Sequence, residues 1–388
     1  MTGQQEASWY DPAIYPEWRT SAPWVMDDMI AAQPANVAWT LSSVANAAGA
    51  VASAITEAVD ADAPVVVSGT GTAGHAARGV AVALNWGVGD ETGGRVEFRE
   101  SDDQARAPRR GGVLVVVSHG GASSSTLAAL NSARDAGART CLIVAAEGTA
   151  AHDLADFVLQ LPERDKSYCH TVGYTSPIAA GLAIAAQMRN EQLDPAAVQA
   201  SLEQALAGRG AIEELGAGLG RIQRFVAAGS LVDEPSAREL ALDVAEAAWL
   251  PASVFGLEDL LHGHMVGHNE ESGLAVLLTG GPQLSNGAAT AAGLLRAATR
   301  IGLRTILIAT DEVARLIDED ATSVGRIIVP SSDLPAVVTS LLGTAVAVQH
   351  LSMTLVASRG TNPDLLRRED IAYREAVAAG GAKQPSRK

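Results

Sequence analysis

The sequence predicts an α/β protein built as two three-layer αβα domains with mainly parallel sheets. Three observations predict it. Short, continuous, largely β-branched runs at Val65–Val67, Val113–Val117, Leu142–Ala145 and Phe157–Leu161 have the character of strands buried on both faces. Helix-forming stretches at Ala76–Leu84 and Leu127–Ala136 lie between them, as parallel crossovers require. The alternation then returns, with strands near Ala275–Thr279, Arg304–Ile308 and Arg326–Val329 separated by helices over 283–300 and 311–317.

Taken in order, the chain opens with a stretch that has no clean period through Trp24–Pro34 and carries Tyr10, Tyr15, Trp18 and Trp24. It reads as an arm packing on the body, so residues 1–45 are expected to form an arm and helix. The first domain is expected over 46–195 and the second over 196–358, the latter entered through a helical segment from about Asp194 to Phe225. Residues 359–388 form a C-terminal segment, whose end, Gly380–Lys388, reads as disordered.

Composition bounds the setting. The 388 residues, 47% hydrophobic, suffice for two packed domains. A net charge of −16 with no basic patch argues against nucleic acid and anionic membranes as partners. The two cysteines, Cys141 and Cys169, give neither a disulfide framework nor a metal spacing. No basic start followed by an apolar core opens the chain, and no run of about eighteen apolar residues occurs, so a cytoplasmic protein is expected.

Chemistry concentrates in two loops. Val65–Ser68 runs into Gly69-Thr70-Gly71-Thr72-Ala73-Gly74, and Val113–Ser118 runs into His119-Gly120-Gly121-Ala122-Ser123-Ser124-Ser125-Thr126. Each precedes a helix, so backbone N–H groups at two helix starts can converge on one anion. Gly69, Gly71 and Gly74 also read as G-x-G-x-x-G, with Glu97 or Glu100 placed to take a ribose, which would make a dinucleotide site. They read equally as a tight turn needing positive φ and close packing. A sugar-phosphate cradle is the third reading. The hydroxyl cluster of Ser118, Ser123, Ser124, Ser125 and Thr126 favours it, because a dinucleotide fold does not require a second hydroxyl-rich helix start.

Together these loops resemble the tandem sugar isomerase (SIS) domain superfamily, in particular the isomerase half of glucosamine-6-phosphate synthase and related deaminases and deglycases. In that family the first loop reads like Gly-Thr-Ser, matching Gly71-Thr72-Ala73. An edge strand reads Glu-Phe-Arg, matching Glu97-Phe98-Arg99. The second loop reads Ser-Gln-Ser-Gly-Glu-Thr, matching Ser118-His119-Gly120-Gly121-Ala122-Ser123. Two phosphate-binding hydroxyls are therefore missing, at Ala73 and Gly120, and His119 replaces an amide. A sulfonate, with less charge than a phosphate dianion, would suit the thinner donor set, while the remaining Thr72, Ser118, Ser123, Ser124 and Ser125 could still hold phosphate.

The resemblance extends into the second half. The family's Ala-Leu-Lys-Leu-Lys-Glu helix becomes Ala241-Leu242-Asp243-Val244-Ala245-Glu246 here, and its Gly-Glu-Leu-Lys-His-Gly-Pro becomes Glu258-Asp259-Leu260-Leu261-His262-Gly263-His264. The resemblance implies that Glu246 shuttles a proton between C1 and C2 and that His262 opens the sugar ring, reaching across a homodimer interface. Read without it, Glu246 is a solvated or cap-pairing glutamate beside the apolar face of Leu240, Val244 and Ala248. His262, His264 and His268 have no third ligand at a recognised spacing, so no metal is expected. His170 and Thr171 fall at the family's substrate loop, and His75 reads as a local hydrogen-bond partner.

Arg359-Gly360-Thr361-Asn362-Pro363-Asp364 resembles the stretch that precedes the family's terminal active-site lysine. That lysine is unmatched. Its place falls near Tyr373, and only Lys383 and Lys388 lie beyond, so a Schiff-base step is unsupported. Arg367 and Tyr373 are expected to close over the substrate. The expected activity is aldose–ketose isomerisation of an anionic 6-phospho or 6-sulfo hexose through a cis-enediol, with no cofactor. The ligand's anion is expected on Gly71, Thr72, Ser118, His119, Gly120, Ser123 and Ser124. A deglycase or deaminase of an amino-ketose 6-phosphate, and a non-catalytic sugar-phosphate-binding module, remain as alternatives.

Overall fold

The computed structural model describes residue 17 and residues 19–90 and 94–380. Tyr10, Tyr15 and Trp18 of the expected arm, and the tail beyond Gly380, lie outside the described residues. The first half runs α1 (Val25–Asp60), β1 (Val65–Gly69), α2 (Thr72–Gly87), β2 (Val96–Glu100), α3 (Ser101–Arg106), β3 (Val113–Ser118), α4 (Ser124–Asp135), β4 (Arg139–Val144), β5 (Phe157–Gln160) and α5 (Val172–Met188). Its strands pair in parallel in the order β2-β1-β3-β4-β5. Strands β1 and β3 are buried at every position, as their unbroken apolar runs require.

The second half runs α6 (Pro195–Ala207), α7 (Arg209–Ala217), β6 (Arg224–Ala228), α8 (Glu234–Ala247), β7 (Ala252–Phe255), α9 (Leu257–Leu261), β8 (Ser272–Leu278), α10 (Leu284–Ile301), β9 (Arg304–Thr310), α11 (Asp311–Ala314), β10 (Gly325–Val329), α12 (Ala336–Val338), α13 (Thr344–Arg359) and α14 (Ile371–Ala379). Its parallel sheet has the order β10-β9-β8-β6-β7. In both halves the first strand sits between the second and the third, so the winding reverses at β1/β3 and again at β6/β8. Such switch points open a crevice beyond the strand ends.

Two expectations are corrected. The segment expected to stay helical from Asp194 to Phe225 is two helices that end at Ala217, and Arg224 already begins β6. The expected break at residue 45 is absent, because α1 is a single 36-residue helix containing Pro34. Proline at 34 deprives the Ile30 carbonyl of its helical donor, and the Gln33 side chain supplies one instead, Nε2 to O at 3.2 Å. The helical stretch Ala336–Arg359 is long and apolar enough by composition to cross a membrane, with mean hydropathy 1.4 over its most apolar 18 residues, but 89% of that window is buried inside the protein, as in a core helix.

The cores interleave. Met26 and Ile30 from the start of α1 pack into the second half's core. Val198, Leu202 and Ala205 of α6, together with Val338, Leu341 and Val346, pack into the first half's core. Asp364 then closes the chain on itself: its carboxylate accepts the Val25 and Met26 amides at the start of α1, at 2.8 and 2.9 Å. This satisfies two of the orphan donors of that helix and sets a negative charge at its positive end.

Candidate functional site

The crevice at the first switch point is built from two turns. Gly71 caps α2 with φ 61° and ψ −140°, a backbone state essentially confined to glycine. The first helical bond of α2 runs from the His75 amide to the Gly71 carbonyl at 3.0 Å. The amides of Thr72, Ala73 and Gly74 therefore have no helical acceptor and face the crevice end. Gly69 and Gly74 serve packing: a Cβ at 69 would sit 2.4 Å from the Ala73 carbonyl oxygen, and one at 74 would sit 3.2 Å from Gly69. Glu97 is held by Arg109 at 2.9 Å and Glu100 by Arg78 at 3.7 Å, so neither carboxylate is left for a ribose.

The second turn spends part of its hydroxyl set on itself. Ser123 caps α4 by accepting the Thr126 amide at 3.1 Å and donates to the Thr126 hydroxyl at 2.7 Å. The Ser118 hydroxyl accepts the Gly121 amide at 3.0 Å. The amides of Ser124 and Ser125 remain without helical acceptors. Gly120 borders open space, with nothing within 4 Å of a Cβ placed there, so the missing hydroxyl leaves a gap rather than a filled contact.

His119 is committed to the neighbouring loop. Its Nε2 accepts the Asp165 amide at 3.1 Å, and its ring lies 4.2 Å from that of His170. Burial first, then His170 and Arg164, hold its pKa well below the ordinary histidine value. The ring is therefore neutral, with its proton on Nδ1, the one nitrogen left to meet a ligand. Asp165 is fully buried and organises this loop, accepting amides from Ser167, Thr171 and Gly173 at 3.1, 2.6 and 3.0 Å. Thr171 is fully buried as well and its hydroxyl turns toward Asp165 at 3.4 Å, so its expected contact with sugar hydroxyls is not available in this arrangement. His170 keeps a buried Nε2 without a hydrogen-bond partner.

Helix α8 brings the second half to this crevice. Glu239, Asp243 and Glu246 recur at helical spacing on one face. The first two are fully buried. The His75 Nδ1 lies 2.7 Å from the Glu239 carboxylate, and the Cys169 thiol donates to Asp243 at 3.5 Å. A continuous set of contacts thus links the first turn, α8, the 165–171 loop and the second turn. Burial, then the neighbouring Glu239, raise the Glu246 pKa to about 8. Burial, Glu239 and Glu246 raise Asp243 well above the carboxylate range. Glu239 Oε1 and Asp243 Oδ2 are buried and have no hydrogen-bond partner.

Other expected residues fall elsewhere. His262 is 80% exposed and pairs with Glu258 at 3.1 Å, apart from the contacts that surround Glu246. Arg367 stacks on Tyr373 and Trp249, 3.9 and 4.8 Å from their ring centres, so the two expected closing residues hold each other at the surface. The adjacent Arg368 is the cation that acts on Glu246, and its guanidinium lies 4.1 Å over the Tyr168 ring. Arg368, Glu239 and Asp165 were not among the expected residues. For Glu239 the signal was present, since it continues the 243/246 face by one turn. The His262–His264–His268 segment forms no metal-holding group, and none occurs among the described residues.

The second switch point is closed by the protein's own charge. Asp233, fully buried between β6 and α8, accepts the Thr279 amide at 3.1 Å and the Thr279 hydroxyl at 2.5 Å. Burial raises its pKa to about 7, against those hydrogen bonds. A carboxyl already occupying the donors at the end of β8 leaves no equivalent anion site there.

Residues 60–188 match the SIS domain family. No curated protein sequence matches the chain. Among solved structures, the tagatose-6-phosphate ketose/aldose isomerase of Escherichia coli is similar at TM-score 0.74 and 20% identity, covering 91% of this chain and 97% of that one. The C-terminal domain of glucosamine-fructose-6-phosphate aminotransferase from Francisella tularensis is similar at TM-score 0.72 and 15% identity, over 90% and 99% of the two chains. The glucosamine-6-phosphate deaminase of Thermotoga maritima is similar at TM-score 0.67 and 15% identity, over 88% and 97%. The chain thus carries a SIS domain at residues 60–188 and folds as two SIS-type domains, the fold of the phosphosugar isomerases and deaminases.

Proposed function

We propose that the chain is an aldose–ketose isomerase acting on a hexose with an anionic group at C6, phosphate or sulfonate, through a cis-enediol. The observation that carries this reading is Glu246: a largely buried carboxyl, raised to about 8, on a helix packed against the start of α2 and joined through the 165–171 loop to the second turn. A carboxylate so placed takes a proton from C2 and returns it to C1, since a base poised near neutrality both accepts and releases it. The amides of the first and second turns, with the Thr72 hydroxyl, hold the C6 anion, and holding it fixes C1 and C2 beside the base. Glu246→Gln keeps the shape but removes the base. Mixing the purified protein in D2O with glucose 6-phosphate, fructose 6-phosphate or sulfoquinovose tests the reading. One-dimensional NMR should report isomerisation with solvent deuterium at C2 for one of them, and no exchange in the variant. A dimer in solution, which could bring His262 of a second copy to this site, is part of the proposal.

A second reading has its own support. Three carboxyls line one face of α8, and two of their buried oxygens, Glu239 Oε1 and Asp243 Oδ2, have no hydrogen-bond partner. An ammonium group on an amino-ketose 6-phosphate brought to this face would supply a charged donor to the unpartnered oxygens. Release of ammonia or an amino acid from a fructosamine 6-phosphate, with no isomerisation of the plain hexose esters, would favour this deglycase or deaminase reading over the first.

A further inference from the structure

We propose that His75, oriented by Glu239, is the acid that opens the sugar ring. The inference deepens the isomerase reading and rests on it. His75 lies one turn after Thr72 at the start of α2, and its side chain is 19% exposed, whereas its partner Glu239 is fully buried. At 2.7 Å from a carboxyl oxygen, Nδ1 is assigned the ring proton and donates to Glu239 Oε2, which fixes the ring plane and leaves Nε2 as the nitrogen free to face a ligand. Glu239 stands two turns before Glu246 on the same face of α8, so the imidazole and the proposed carbon base flank one stretch of the crevice. Within one chain His262 is exposed, is paired with Glu258, and lies apart from this stretch of the crevice.

The step balances within the sugar. The imidazolium Nε2 proton passes to the ring oxygen as the bond from the anomeric carbon to that oxygen breaks. The anomeric hydroxyl gives up its proton to water, leaving a carbonyl at the anomeric carbon and a free hydroxyl at C5. The neutral imidazole is then reprotonated from solvent. Glu239 is a positioning residue in this step, since it acts through His75.

The test separates ring opening from everything else by using a substrate with no ring to open. Erythrose 4-phosphate has its terminal oxygen esterified and stays open-chain. His75→Gln should lower turnover of the reactive cyclic hexose ester by about 10²-fold, while deuterium exchange into erythrose 4-phosphate stays within about threefold of wild type. In His75→Ala, added imidazole should restore part of the cyclic turnover. Equal loss on both substrates, without imidazole rescue, would mean a structural or anion-holding role and overturn the proposal. So would unchanged cyclic turnover in His75→Gln alongside a selective cyclic loss in His262→Ala. If the wild-type protein exchanges deuterium into none of these sugars, the isomerase reading itself fails and takes this proposal with it.

Discussion

Replacing Glu239 with glutamine should move the ionisation of Glu246 toward neutrality. Burial is the larger cause of the raised value, and the charge of Glu239 is the next. The two residues are two turns apart on α8, about 10 Å along the axis. At an effective dielectric of about 20, that separation gives about 1.7 kcal/mol of repulsion, or about 1.2 pH units. The apparent midpoint should therefore fall from about 8 to about 7. It should not return to the ordinary carboxylate range, because desolvation persists. The sign follows from the role: the base works ionised, so kcat/KM rises with pH through the midpoint, and at pH 7 the ionised fraction grows about fivefold. The assay is the pH profile of kcat/KM for the reactive sugar, with the midpoint read separately from the plateau. The plateau carries the loss of His75 orientation. A midpoint that stays put or rises in Glu239→Gln would refute both the shared face and the assignment of the ionisation to Glu246.

Three further outcomes are expected. Gly69→Ala should destabilise the protein by about 3 kcal/mol, because its Cβ meets the Ala73 carbonyl oxygen at 2.4 Å, and a lowered midpoint in urea checks this. Gly120→Ser should leave that midpoint within about 0.5 kcal/mol and tighten inorganic phosphate binding measured by calorimetry, because the added hydroxyl enters open space beside the second turn. Asp165→Asn should cost about 2 kcal/mol, since one amide oxygen cannot serve the three backbone donors of Ser167, Thr171 and Gly173, and an unchanged urea midpoint would refute its organising role.

Both sheets' central strands were legible because Val65–Val67, Val113–Val117 and Ala275–Thr279 are unbroken apolar runs. Strands β6 and β7 were not, being short, alanine-containing and, for β7, half exposed at an edge. The continuity of α1 was not legible, because the donor that compensates for Pro34, on Gln33, acts through a side chain that no period records. In the site, the two loops stood out by glycine and hydroxyl content. The acidic face of α8 was half legible: Glu246 came from a motif, while for Glu239 only the helical spacing spoke, and its partner became visible once α2 placed His75 against it. Arg367 and Arg368 are adjacent in sequence, yet in a turn with left-handed backbone at 366 and 367 they meet different neighbours, Tyr373 and Trp249 for one and Tyr168 for the other.

The clasp of Asp364 on the Val25 and Met26 amides joins the first helix to a segment 339 and 338 residues further along the chain. During synthesis, α1 leaves the ribosome hundreds of residues before the carboxylate that caps it and before the second core that receives Met26 and Ile30. At ordinary elongation rates that delay is tens of seconds. Over that interval Met26 and Ile30 at the start of α1 await the residues that cover them, so a nascent chain stalled before the second core is made leaves this helix start open to chaperones and proteases.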